Sequence, residues 1–256
     1  MKPWDLNTIR INLSGSHSVS FNTPKDSYKF VGEAPHLTIK LEQIIDGLPK
    51  FGKLFATELI LREDSKNYKI TSGKISLIAQ GFIPDTISNK TPTLEVLFLA
   101  EDVSFHETWH FSLGDSLERF KIAVQVLGDL SSPFDIRAVK NWRDSGGVID
   151  LELLESNYGP LKIKANGTIA LDDKLQILAA FSARVRGFLA AIRHLENTNA
   201  IRPLEAAIAK MVFNSLLKTK GATSVDLPLN IQNGELTVHQ FKVLKIPSIN
   251  WSNIDQ

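Results

Sequence analysis

Trp142-Arg143-Asp144-Ser145-Gly146-Gly147, then Ile149-Asp150-Leu151-Glu152-Leu153, Tyr158-Gly159-Pro160-Leu161 and Ala165-Asn166-Gly167-Thr168-Ile169-Ala170-Leu171-Asp172 decide the local fold class of this chain. The first run reads as the end of a helix, because two consecutive glycines are poor helix formers and suit a C-terminal stop. Beyond it Ile149, Leu151 and Leu153 alternate with Asp150 and Glu152, and Leu161, Ile163, Ala165, Ile169 and Leu171 alternate with Lys162, Lys164, Asn166 and Thr168. Period-two alternation is that of a strand with one face on a core and one in water. The two strands are expected to pair as a hairpin across Ser156 to Pro160.

Working outward, Ser132-Pro133-Phe134-Asp135 gives the start of the helix, with Ser132 as N-cap, Pro133 at the first helical position and Asp135 in the first turn. Phe134, Ala138 and Trp142 fall four apart on one face, which predicts an amphipathic helix over about 133–146. After a strand around Ala179 to Val185, two more helices are expected over about 186–197 and 203–220. Phe188, Ile192 and Leu195 mark the first; Leu204, Ile208, Met211, Val212 and Leu216 mark the second, which opens with Pro203 and Glu205 and closes with Lys218, Lys220 and Gly221. Val225, Leu227, Leu229 and Ile231 then form a strand that turns at Asn233-Gly234 and returns through Leu236 and Val238.

Most of the first half repeats the strand pattern: Ile9, Ile11 and Leu13; Leu37, Ile39 and Leu41; Leu59 and Leu61; Ile75, Leu77 and Ala79; Leu97 and Leu99; Trp109, Phe111 and Leu113; Phe120, Ile122, Val124 and Val126. Ser14-Gly15-Ser16, Asp46-Gly47, Ser72-Gly73, the Pro84 to Pro92 stretch and Gly114-Asp115 supply turn chemistry between them, so the segment reads as an antiparallel meander. The expected fold class is α+β and β-dominated, with curved antiparallel sheet or sheets packed on two to three amphipathic helices (about 133–146, 186–197 and 203–220). One domain over residues 1–256 is expected, with two lobes meeting near 128–133.

With 43% hydrophobic residues over 256 positions the chain has material for a real core. Twenty-nine basic against 28 acidic residues leave a net charge of +1, with no run of five or six like charges, so nucleic acid is not an expected partner. The absence of cysteine excludes disulfides, thiol nucleophiles and cysteine metal sites, and fits a reducing cytosol or an unstapled periplasmic domain equally. No apolar stretch has the length of a membrane span, and Met1-Lys2-Pro3-Trp4-Asp5-Leu6-Asn7 lacks the apolar core of a signal peptide.

His106-Glu107-Thr108-Trp109-His110 matches H-E-x-x-H, in which histidines one helical turn apart bind zinc and the glutamate acts as general base. That chemistry needs a helix. Trp109, Phe111 and Leu113 instead continue a strand pattern, which would set the two histidines about 13 Å apart by strand rise. Glu63-Asp64, Glu101-Asp102 and Asp172-Asp173 read as solvated carboxylates at strand ends. Asn12-Leu13-Ser14, Asn89-Lys90-Thr91 and Asn166-Gly167-Thr168 match the glycosylation triplet with no secretory signal beside them. No catalytic, cofactor-binding or metal-ligating residue is assigned, no cofactor is expected, and the chain is read as not an enzyme, with a zinc hydrolase through 106–110 as an alternative. The Phe134 and Trp142 stripe and the Phe188 to Leu216 stripe would line a lipid-binding groove in a sheet that curls around them without closing, an ordinary core being the other reading.

Ala138-Val139-Lys140-Asn141-Trp142-Arg143-Asp144-Ser145-Gly146-Gly147, Tyr158-Gly159-Pro160-Leu161 and Gly167-Thr168-Ile169-Ala170-Leu171-Asp172 together resemble a bacterial family catalogued as domain of unknown function 2125, whose members carry a similar Trp-Arg-x-x-Gly-Gly, Gly-Pro-Leu and Gly-Thr-x-x-Leu-Asp succession. Leu227 to Leu236 and Ile246-Pro247 look like that family's terminal hairpin and proline-containing end. The resemblance covers about residues 115–250. It brings no catalytic residue, since the family has no established activity. It does imply an envelope protein, periplasmic or anchored in the membrane and facing the periplasm, behind an N-terminal hydrophobic segment that this sequence lacks, as in a trimmed chain or a shortened gene. The long sheets are also loosely similar to AsmA-like envelope proteins, whose curved sheets are thought to handle lipids. The expected partners are therefore a lipid or other apolar ligand held in a sheet groove or, alternatively, envelope proteins docking on a scaffold.

Overall fold

A computed structural model describes residues 8–22, 27–45, 48–63, 68–82, 88–105, 113–129, 135–216, 223–238 and 241–251. Six strands come first: β1 (Thr8–Asn22), β2 (Ser27–Ile45), β3 (Leu48–Glu63), β4 (Tyr68–Gly81), β5 (Pro92–Phe105) and β6 (Ser116–Leu127). Helix α1 (Ile136–Asp144) leads to β7 (Val148–Tyr158), β8 (Leu161–Leu171) and β9 (Ile177–Arg186). Helices α2 (Phe188–Asn197) and α3 (Pro203–Leu216) precede β10 (Ser224–Gln232), β11 (Glu235–Val238) and β12 (Phe241–Lys245). All twelve strands form one antiparallel sheet whose spatial order is the chain order, and strand length falls from 19 residues in β2 to 4 in β11.

Tight turns enforce that order. Gly159-Pro160 closes the β7–β8 hairpin, and Asn233 and Gly234, with φ of 53° and 70°, close β10–β11 in the doubly positive backbone that Asn-Gly favours. The β10–β11 hairpin stands where the sequence placed it, whereas the β7–β8 turn is tighter than Ser156 to Pro160, since Ser156 pairs with Ile163 and Tyr158 with Leu161.

The register separates the residues into two faces. On one, β3 contributes Gly52, Leu54, Ala56, Leu59 and Leu61, and its partners in β4 are Ala79, Leu77, Ile75, Ser72 and Ile70. The next strands continue with Val96, Phe98, Ala100, Val103 and Phe105 in β5, then Val124, Ile122, Phe120 and Leu117 in β6. Each set steps by two except once, where it steps by three. The extra residues, Pro35, Glu58, Gly73, Asp102 and Glu118, stand opposite one another across β2 to β6. Glu58 and Asp102 both take φ of 51°, the left-handed region that lets one residue be inserted while the alternation resumes on the same face. Ser72, buried on this line, places its hydroxyl 3.0 Å from Lys74 O and 3.0 Å from Glu101 O, so its proton serves the carbonyls beside the skip.

This line corrects two expected turns. Ser14-Gly15-Ser16 and Ser72-Gly73 lie inside β1 and β4, because the turn-like residues there serve the insertion and not a reversal. Leu97 and Leu99 fall on the face opposite Val96 and Phe98, in line with Glu95 and Glu101, since residues 94–100 are apolar on both faces apart from Glu95. Trp109 and Phe111 lie outside the described residues, and Leu113 is in a turn.

The helices also differ in detail from expectation. Helix α1 starts at Ile136, and its N-cap is Asp135, whose Oδ1 accepts the Ala138 N–H at 2.8 Å; Ser132, Pro133 and Phe134 lie outside the described residues. In α3, Ala206 and Phe213 are 0% and 5% exposed, whereas Leu204 and Met211 are each 72% exposed. The sequence put Leu204 and Met211 on the packed stripe, but at 100° per residue they point away from the face of Ala206 and Phe213. Helix α3 is described to Leu216, and Lys218, Lys220 and Gly221 lie outside the described residues.

Candidate ligand-binding face

The helices sit at two places on the apolar face. Phe213 of α3 packs with Val185 of β9 and Val225 of β10 and stacks on Phe188 of α2, with ring centroids 4.5 Å apart. At the other end of the strands Trp142 of α1 is buried and donates its indole N–H to Leu127 O at 2.8 Å. These contacts fall on β6 to β10, a narrower footing than a sheet packed on helices along its whole width. Among the described residues the hydrophobic cluster of β2 to β4, Ala34, Ala56 and Leu59 with Leu37, Leu61 and Ile75, contains strand residues alone.

The opposite face is wetter. Lys74, Glu101, Arg119, Glu155 and Lys164 form a chain of alternating charge across β4 to β8, with successive N–O distances of 3.3, 3.0, 4.0 and 3.4 Å. Arg184 and Asp226 make a two-bond pair further along, at 2.7 and 3.1 Å. Exposed pairs of this kind contribute little to stability singly, but they identify the water side. An apolar island of Ile78, Leu97 and Leu99 interrupts it over β4 and β5.

The apolar face of β1 to β5 thus carries half-buried Leu37, Ile39, Leu54, Leu77 and Phe98, with Ile9 and Ile11 exposed on the edge strand. Ala34, Ala56, Leu59, Ala100 and Val103 on the same face are buried, so its exposed large apolar side chains are Ile9 and Ile11 of the edge strand among the described residues. On the same face lies a cavity of about 320 Å³ between α1, the strands and the C-terminal segment, lined by Val126, Val139, Trp142, Ile149, Ile169, Ala170, Leu171, Ile177, Ile249 and Trp251. Val126 and Leu94, partners across β6 and β5, connect the two.

Two cross-links hold the cavity's outer wall. Gln176 donates to Ile249 O at 3.2 Å and accepts the Ile249 N–H at 2.8 Å, and Trp251 donates its indole N–H to Leu175 O at 2.8 Å. The sequence did not single out Ile249 or Trp251, which follow Pro247 without periodicity. Their aromatic and aliphatic character next to a proline was the available signal.

The family-like motif residues serve this architecture. A Cβ on Gly147 would lie 2.4 Å from the Trp142 ring, so the indole lies over a glycine. Arg143 donates to Asp172 O and Asp173 O at 3.2 and 3.0 Å, tying α1 to the turn after β8, while Asp172 Oδ1 accepts the N–H groups of Lys174 and Gln176 at 2.8 Å. Asp172 is therefore a turn-forming group and not a solvated carboxylate. Glu101 is held between Lys74 and Arg119, and Asp102 occupies the insertion line. Tyr158 donates to Gly114 O at 2.6 Å, and burial, with the negative charge of Asp115, pushes its phenol up from its ordinary value.

The residues of the H-E-x-x-H match, His106 to His110, lie outside the described residues, as do Phe134 and Asp64. Among the described residues no group of three histidine or acidic side chains is placed to hold a metal ion, and no helix is long and apolar enough to cross a membrane.

The family model described as "Uncharacterized protein conserved in bacteria (DUF2125)" matches residues 1–247. No curated protein and no solved structure matches the chain.

Proposed function

The chain belongs to the DUF2125 family of uncharacterised bacterial proteins, and from that premise we propose that it is a non-enzymatic cell-envelope protein that binds lipid or another apolar ligand along the β1 to β5 face. The observation that carries this reading is a difference along one sheet face: Phe213 and Phe188 of the helices join the cluster of β8 to β10, whereas among the described residues the cluster of β2 to β4 contains strand residues alone. A bound hydrocarbon would supply the missing layer, at about 25 cal/mol for each Å² of apolar surface removed from water. The periplasmic side of the envelope is the proposed location, supported by the family resemblance, and cell fractionation tests it.

Native mass spectrometry of protein purified from its host tests the binding itself. Co-purifying lipid is expected, and its loss in Leu77→Lys with the fold intact. A clean apo mass together with no uptake of a fluorescent fatty acid would overturn the reading. A second reading, an envelope scaffold, is favoured by β1, a 15-residue strand at the edge of the sheet whose outer backbone groups could pair with a partner strand. Pull-down by the intact protein, with and without proline placed at outward-facing β1 positions, separates the two.

A further inference from the structure

We propose that the cavity beneath α1 seats the end of one unbranched hydrocarbon chain, so that the ligand is a single-chain amphiphile whose polar head stays outside. This rests on the lipid-binding reading of the sheet and specifies its substrate class and terminus.

The chemistry of the walls sets the class. Val139 and Trp142 from α1, Ile169 and Ile177 from the strands, and Ile249 and Trp251 from the C-terminal segment surround the space. Both indole N–H groups, the polar handles of this wall, are spent on backbone carbonyls, Leu127 O and Leu175 O, at 2.8 Å each. Among the described residues that line it, none offers a free side-chain partner to a ligand hydroxyl, amide or charge, and burying an unpaired polar group costs several kcal/mol on a hydrocarbon reference. The occupant's inner part is therefore hydrocarbon alone.

Volume narrows it further. An apolar cavity of about 150 Å³ takes benzene, so the 320 Å³ here corresponds to about a dozen carbons. That admits one chain and excludes the paired chains of a diacyl lipid or a four-ring sterol. The way in is from the sheet: Val126 on the cavity wall is the register partner of Leu94 on the open face. The two-bond Gln176–Ile249 clasp keeps the C-terminal segment in place as the far wall.

The test titrates the intact protein with 12-bromododecanoate below its micellar concentration and, in parallel, with a brominated sterol, reading tryptophan fluorescence. Saturable quenching at one equivalent is expected with the fatty acid and none with the sterol. Ile249→Trp, which fills the cavity from its outer wall, should weaken binding at least tenfold without changing the circular-dichroism melt, and Trp251→Phe should retain binding but lose part of the quenching. Equal affinity in Ile249→Trp, or equal quenching by the sterol, overturns the inference. If Leu77→Lys abolishes uptake while Ile249→Trp leaves it intact, or if host lipid co-purifies but bromododecanoate does not bind, the sheet reading stands and the cavity assignment falls. Protein that carries no host lipid and takes no bromododecanoate refutes both.

Discussion

Gly147 shows how a residue that looks like punctuation in the sequence becomes a packing surface. Its role as a helix stop was readable, because helix α1 does end just before it, but the reason it must be glycine is the Trp142 indole lying where a Cβ would go. Gly147→Ala should destabilise the protein by about 1–3 kcal/mol in urea denaturation, since the ring must leave its hydrogen bond to Leu127 O to make room. At the other end of the helix, Asp135 accepts the Ala138 N–H, and that hydrogen bond, with Arg137 beside it, holds its carboxyl below the ordinary carboxylate range. A depressed carboxylate contributes stability above its unfolded pKa and loses it as pH falls through the folded one. Asp135→Ala should therefore lower the denaturation midpoint at pH 7, and the gap to the parent should narrow as falling pH protonates the carboxyl in the folded protein. The partners of these residues were not legible. Leu127 precedes Trp142 by 15 positions and Gly114 precedes Tyr158 by 44, and nothing in a local pattern says which carbonyl a long side chain will meet.

For the strands, the reach of sequence reasoning has a physical boundary. Hairpins with two-residue turns were legible because the backbone conformation they demand selects Asn-Gly and Gly-Pro. The insertion line was not, because a step of three within period two looks like the end of a strand: Ser72-Gly73 has turn chemistry, and Ala56 to Leu59 breaks phase. The signal was five phase breaks in neighbouring strands at matching distances from their turns, visible only when strands are aligned as hairpins. The line carries a prediction of its own. Glu58 pays for a left-handed backbone with a side chain that is exposed, so Glu58→Gly should raise stability by about 0.5–1 kcal/mol, read by urea denaturation. Helix α3 was legible as a helix but not in its orientation, because it is apolar on more than one side and periodicity cannot choose which apolar side meets the sheet.

Across the whole molecule the apolar face carries two described clusters, one of β8 to β10 that includes helix residues and one of β2 to β4 made of strand residues, and stability measurements separate them. Phe213→Ala, in the core under α3, should cost about 3–5 kcal/mol. Leu77→Lys, on β4 of the same face, should cost under about 1 kcal/mol in lipid-free protein, because its ammonium stays in reach of water; a loss as large as that at Phe213 would show that the face is a closed core. The β-dominated class and the meander were legible because they follow from alternation alone; what covers each face was not, because coverage depends on the directions of helices set by distant contacts. The chain-order arrangement of the strands has a mechanical consequence. With β1 at one border of the sheet and β12 at the other, a load applied through the two termini acts on one row of hydrogen bonds at a time. The molecule should peel from its borders inward like a zip, at low force and in hairpin-sized increments, and optical-tweezer extension traces should show a staircase in place of a single rip.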